Sequence, residues 1–166
     1  MCALLNVNIN PPLLFVRGCV SIRDASIGAG MVGNAQWSGP RLREVLLELY
    51  PELAAIEDAA AKGGGGGGAD GAANYHGMHV EFEGLDGYYT STPLEVIMDP
   101  KTDCLLATHM NGAPLQPDHG YPLRTVLPGL AGCRNAKWVS RITVRNDEGD
   151  SPWNVTYYKG GEPGGK

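Results

Sequence analysis

The sequence predicts a mixed α+β fold with more strand than helix, and three features carry that expectation. Residues 78–83 alternate apolar Met78, Val80 and Phe82 with polar His79, Glu81 and Glu83, the period of a half-buried strand. Further runs of strand type follow at 105–110, 123–127 and 138–144. Helical spacing over several turns is confined to 37–56, which leaves more strand than helix in a mixed α+β architecture.

Each element has a local reason. At 37–56 a turn leads into a helix: Ser38 is placed to cap, Pro40 suits a first turn, and Leu42, Val45, Leu46 and Leu49 keep i, i+3, i+4, i+7 spacing. Residues 59–74 (AAAKGGGGGGADGAAN) are low in complexity. Consecutive glycines bury nothing and lose maximal backbone entropy on ordering, so the tract reads as a flexible insertion. It is no phosphate loop, because no Lys-Ser or Lys-Thr pair follows. Thr92-Pro93-Leu94-Glu95 has the form of a capping box with proline at the first helical position, which predicts a short helix there. Asn111-Gly112 signals a tight turn after the 105–110 strand. The segment from Asn146 onward is rich in Gly, Pro and acidic residues, yet its Trp153, Tyr157 and Tyr158 need a surface to pack on.

Composition narrows the function. At 166 residues, 43% hydrophobic and 19% charged, the chain suits one ordinary globular domain. A net charge of −5 gives no reason to expect nucleic acid or an anionic membrane as partner. Cys2, Cys19, Cys104 and Cys133 form no CxxC pair and no zinc-ligand spacing with the histidines, so they read as buried or partly buried thiols in a reducing compartment. The first residues lack a basic start and carry Pro11-Pro12, which fails as a targeting segment. No apolar run approaches the ~20 residues that span a bilayer, so the chain is expected to be soluble, with its compartment left open.

The densest chemistry lies at 119–141. Arg124, Arg134, Lys137 and Arg141 occur there with His119 and without a single Asp or Glu, inside a chain that is acidic as a whole. Arginine, lysine and the backbone N–H groups of the intervening Pro128-Gly129-Leu130-Ala131-Gly132 loop are the donors a phosphate group requires. A basic strand face balanced by acids elsewhere has the same composition, so charge leaves both readings open.

These residues also carry a resemblance. Asp118-His119-Gly120-Tyr121-Pro122-Leu123-Arg124, then Val126-Leu127-Pro128-Gly129, Gly132-Cys133-Arg134 and Lys137-Trp138 closely resemble the sulfite oxidase and nitrate reductase family, in its molybdopterin-binding domain. Supporting matches in the same order are Trp37-Ser38-Gly39, Phe82-Glu83-Gly84-Leu85-Asp86, Met98-Asp99-Pro100 and Met110-Asn111-Gly112-Ala113-Pro114-Leu115. The resemblance covers roughly 33–158 and implies a strand-rich sulfite-oxidase-type fold, with 1–32 as a divergent segment, an insertion at 59–74 and a disordered tail at 159–166.

What the resemblance implies about chemistry is specific. The cofactor is molybdenum-molybdopterin, held at the positions matching the family's pterin and phosphate contacts: Asp86, His119, Arg124, Asn135, Ala136 and Lys137. For Asp86, a turn residue before Gly87 is the competing reading. Counting back from Pro93 places the family's active-site tyrosine at Tyr88, with Tyr89 one residue away. The reaction is oxygen-atom transfer to or from a small oxyanion, sulfite favoured over nitrate. The family's metal-ligating C-A-G-N-R-R stretch has no match in these residues, so the metal ligand is unassigned and Cys19 is nearest in flavour. The alternative is therefore a truncated, non-catalytic remnant of the domain, with the family's dimerisation domain also absent.

Overall fold

A computed structural model of the chain describes residues 14–17, 34–61 and 75–157. Its elements are β1 (Leu14–Arg17), β2 (Asn34–Ser38), α1 (Leu42–Leu49), α2 (Pro51–Ala61), β3 (His79–Gly84), β4 (Tyr89–Pro93), α3 (Leu94–Met98), β5 (Leu105–Ala107), β6 (His109–Met110), β7 (Ala113–Pro114), β8 (Arg124–Val126) and β9 (Val139–Arg145). The α+β class follows. Residues 62–74 of the glycine-rich tract, Cys2, Cys19, Tyr158 and the tail at 159–166 lie outside the described residues.

The strands form three antiparallel sheets, ordered β1-β2-β6-β7, β4-β3-β9 and β5-β8. The alternating segment is the middle strand of the second, with Phe82 opposite Thr90 on one side and Ile142 on the other. Val80 and Phe82 are fully buried, as the pattern requires. Glu81, expected outward, is buried as well. It is accommodated because Arg145 Nη1 donates to its Oε1 at 3.2 Å, while Arg145 Nε donates to Asp147 at 2.8 Å. A buried carboxylate needs such a partner.

The 37–56 segment differs from expectation in two places. Trp37 and Ser38 end strand β2 instead of opening a turn, and helix α1 starts at Leu42 with no side chain capping it. Proline lacks the N–H that would continue the ladder, so Pro51 begins a second helix. The capping-box reading of 92–95 is also corrected. Thr92 belongs to β4, its Oγ1 is buried without a hydrogen bond, and α3 follows with no side-chain cap. Five residues rich in Thr and Tyr pair fully with β3, and that ladder outweighs one cap. The 105–110 strand is broken at Thr108 into β5 and β6, which join different sheets.

Two clusters make the core. Leu42, Leu46, Leu53, Val80, Phe82, Leu94, Ile97, Leu106 and Leu127 pack between helices and the β3 sheet. Ala35, Trp37, Leu105, Ala107, Leu115 and Val126 form the second. The short pair β5–β8 feeds both, because successive side chains point to opposite faces.

The base of the glycine-rich tract is tied by side chains. Tyr75 donates its hydroxyl to Glu57 at 3.0 Å, and Glu57 pairs with Arg43. Deleting residues 63–68 roughly halves the connection between α2 and Tyr75, which alters loop-closure entropy by about 0.6 kcal/mol. The urea midpoint of unfolding is expected to move correspondingly little. A loss of several kcal/mol would show that the tract is packed.

Candidate functional site

Three turns, carrying Asp86, His119 and Lys137, meet beside the start of β8, and two of their glycines explain how closely. Gly120 has φ +103, and a Cβ placed there would lie 3.0 Å from Arg124 Cβ and 3.1 Å from Lys137 Cβ. The stems of both cations therefore converge on one glycine. A Cβ on Gly84 would lie 2.8 Å from the Lys137 carbonyl and 2.5 Å from Asp86 Oδ1, so the Asp86 turn rests against the same strand of chain. Leu85 N–H confirms the approach by donating to the Trp138 carbonyl at 3.0 Å.

Arg124 opens β8 and stacks its guanidinium 4.7 Å from the Trp37 ring centroid. Its Nη1 donates to the His119 carbonyl at 3.0 Å. Burial lowers the Arg124 pKa, but a guanidinium keeps its charge at any ordinary pH. Lys137 Nζ donates to the Asp118 carbonyl at 3.0 Å and lies 4.4 Å from the Trp138 ring centroid. Among the described residues neither cation pairs with a carboxylate. Both are held by carbonyls and indole faces, which position a positive charge without neutralising it. His119 ends the 3-10 turn Pro117–His119, is exposed, and its ring takes no hydrogen bond among the described residues.

The other two cations of the 119–141 cluster have different duties. Arg134 Nη1 donates to Thr90 Oγ1 at 3.3 Å and to the Ser91 carbonyl at 3.2 Å. Arg141 pairs with Glu83 across the β3–β9 ladder at 3.4 Å. Asp86 is exposed, and its Oδ1 accepts from Tyr88 N–H at 3.2 Å, which leaves Oδ2 available. Asn135 is turned inward: its Oδ1 accepts from Leu127 N–H at 2.6 Å and its Nδ2 donates to the Ala131 carbonyl at 3.5 Å. Ala136 is buried and its carbonyl accepts from Thr125 N–H at 2.9 Å. Both residues therefore shape the loop behind Lys137.

Tyr88 donates its hydroxyl to the Cys133 carbonyl and stacks on Trp153, centroids 5.6 Å apart. Trp153 in turn meets Tyr157 at 5.3 Å. This turn, Trp153–Tyr157, is pinned by buried Asn154, which accepts from Thr90 Oγ1 at 3.0 Å and donates to the Ser91 carbonyl at 2.9 Å. The aromatics of the last described segment thus pack behind the Tyr88 turn. The sequence motifs contain Trp37, Gly84, Gly120 and Trp138, but give no sign of the contacts that these residues make with Arg124, Asp86 and Lys137. Lys137-Trp138 adjacency was a usable signal; nothing local links Trp37 to Arg124.

Among the described residues no group of three His, Cys, Asp or Glu is placed to hold a metal ion. Cys104 is buried, and burial pushes its thiol from 9.0 up to about 11. The neutral thiol is therefore favoured by the fold, and its contribution to stability is whole below about pH 9 and lost as pH rises towards 11. Alkylation at pH 8, mapped by mass spectrometry, should leave Cys104 unmodified in the native chain and modify it after denaturation. Native-state labelling would contradict its burial.

A family model described as oxidoreductase molybdopterin binding domain matches residues 15–153. Mitochondrial sulfite oxidase of Drosophila melanogaster is 39% identical over 149 residues, covering 86% of this chain and 22% of the relative. The human mitochondrial enzyme is 38% identical over 140 residues, covering 81% and 22%. Nitrate reductase [NADH] 2 of Phaseolus vulgaris is 42% identical over 85 residues, 46% of this chain and 10% of the relative. Among solved structures, the sulfane dehydrogenase SoxCD from Paracoccus pantotrophus superposes with a TM-score of 0.61 at 22% identity, covering 91% of this chain and 36% of that one. That likeness is one of fold. The chain spans about a fifth of the length of the two sulfite oxidases.

Proposed function

The chain belongs to the oxidoreductase molybdopterin-binding domain family, and from that premise we propose that Arg124, Lys137, His119 and Asp86 hold the phosphate and pterin of a molybdenum-molybdopterin. One observation carries the reading: Arg124 and Lys137 converge on Gly120 with their charges unneutralised by any carboxylate among the described residues. Two cations that share a glycine and lack an acidic partner suit a dianionic phosphate. Asp86, with Oδ2 available, suits the amine donors of a pterin, and the exposed His119 ring bridges between the two regions. Asn135 and Ala136 serve by shaping the loop that carries Lys137. We take 33–158 as the domain that does this.

When bound, the molybdenum centre supplies two-electron oxygen-atom exchange with a small oxyanion, for which sulfite is favoured. This chain's own residues contribute binding of the cofactor, with the positive potential of Arg124 and Lys137 set around its phosphate. Tyr88 contributes a hydroxyl, which must leave the Cys133 carbonyl before it can donate to a ligand.

A second reading has its own support. No stretch of the sequence matches the family's metal-ligating C-A-G-N-R-R element, and the Cys104 thiol, buried and raised to about 11, is unsuited to metal ligation as a thiolate. On that reading these residues hold the pterin without supplying a thiolate to the metal, with molybdenum well below one per chain. Cys19, outside the described residues, has Arg17 and Arg23 near it in sequence and is the candidate ligand to test. Expression in cells that make the cofactor, with molybdenum quantified by mass spectrometry, separates the two. Low metal in the wild-type chain and in Cys19→Ser, without sulfite-dependent turnover, is the expected result. Metal near one per chain, lost in Cys19→Ser, would establish the catalytic reading and Cys19 as ligand.

A further inference from the structure

Trp138 touches the turn that carries Asp86 and the turn that carries His119, and it does so from a left-handed backbone with φ +52. Side chains other than glycine, asparagine and aspartate rarely adopt that conformation, and they keep it only where their surroundings fix it. The fixing contacts are on both sides of the residue. Its carbonyl accepts from Leu85 N–H at 3.0 Å, in the turn that carries Asp86. Its Nε1 donates to the Pro117 carbonyl at 2.8 Å, at the start of the turn that carries His119. Its ring lies 4.4 Å from Lys137 Nζ.

The contacts of the neighbouring cations complete a pattern. The three consecutive carbonyls of Pro117, Asp118 and His119 are taken by Trp138, Lys137 and Arg124 respectively. A lysine side chain has four rotatable bonds, and an ammonium that is free to wander must be ordered whenever it meets an anion. Here it is held in advance by one carbonyl and one indole face, and both depend on where Trp138 sits.

We propose that Trp138 is a positioning residue for the phosphate group of the cofactor, acting by presenting a pre-set Lys137 ammonium beside Arg124. The inference rests on the cofactor-site reading above and adds to it a residue that needs no contact with the ligand. Indole face and indole N–H have separable effects. Trp138→Phe keeps an aromatic face for Lys137 and loses the donor to Pro117. Trp138→Leu loses both.

The test uses the full chain purified from cells that make the cofactor, with pterin content read as fluorescence after oxidation and the unfolding midpoint of each variant measured beside it. Trp138→Phe is expected to lose a few-fold in retained pterin, and Trp138→Leu about tenfold or more, although both lose the Pro117 hydrogen bond and unfold at similar midpoints. In a Lys137→Ala background, Trp138→Leu should lower retention no further, because its effect passes through the lysine. Equal retention in Trp138→Phe and Trp138→Leu, or an undiminished effect of Trp138→Leu without Lys137, would overturn the inference and leave the cofactor site standing. Full retention in Lys137→Ala alone would instead overturn the site reading, and this inference with it. If Trp138→Leu fails to fold, Trp138→Met supplies an apolar side chain without a ring and is judged by the same outcomes.

Discussion

Arg124→Ala and Lys137→Ala should each yield folded protein that retains about a tenth of the wild-type pterin or less. Every charge-assisted contact to a phosphate contributes about 1.5–3 kcal/mol, equivalent to roughly tenfold to a hundredfold in affinity. The stems of both side chains meet at Gly120, and on the proposed reading both charges serve the phosphate, so their losses should compound in the double variant. Neither guanidinium nor ammonium supports a carboxylate among the described residues, so their removal strands no buried acid. Arg124→Ala does strip the Trp37 ring and the His119 carbonyl of a partner, and a modest fall in unfolding midpoint should accompany it. Arg141→Ala provides the contrast. That side chain pairs with Glu83 at the surface, 69% exposed, and its loss should leave pterin content unchanged. Wild-type pterin in both single variants of Arg124 and Lys137 would falsify the assignment.

Phe82→Ala should cost the most stability of any single change considered, about 3–5 kcal/mol in urea unfolding. Phe82 is fully buried at the middle of the central strand, between β4 and β9 and under the α1 and α3 helices. A cavity there removes contacts from two partner strands at once. The total stability of a domain this size is about 5–15 kcal/mol, so the variant should unfold at markedly lower urea with little change in slope. A loss below about 1 kcal/mol would mean that the sheet is not the centre of the folding unit.

The contrast between Phe82 and its neighbours shows what the sequence could disclose. The alternation at 78–83 announced the strand and its inward face, because period-2 burial is local information. It could not announce that Glu81 would also be buried. That depends on Arg145, which lies 64 residues away and meets it only through the β3–β9 register. Strand β2 was missed for a related reason. Asn34–Ser38 has little strand character of its own and is held by pairing with 14–17 and 109–110. At 92–95 a local capping signal was legible and lost to a ladder whose partner is ten or more residues upstream.

The site divides along the same line. Four cations without an acid between 119 and 141 pointed to the stretch that holds Arg124 and Lys137, the two cations of the proposed site. Charge counting could not sort them, since a run of residues says nothing about which side chain leaves the sheet on which side. Register places Arg141 opposite Glu83, and the Gly132–Arg134 turn aims Arg134 at Thr90 and Ser91. Arg124 and Lys137 remain because Gly120 lets them approach one another. The positions of Asp86 and Lys137 relative to each other rest on Gly84, whose small size was visible in the sequence and whose consequence was not.

The central claim is that these 166 residues carry a working pterin-phosphate site of their own. The most direct measurement is the ratio of pterin to protein in the wild-type chain, isolated by gel filtration from cells that make the cofactor, with pterin released by denaturation and read by its fluorescence after oxidation. The account predicts a ratio near one, whatever the molybdenum content. A folded wild-type chain, with native unfolding cooperativity and no pterin, would contradict it.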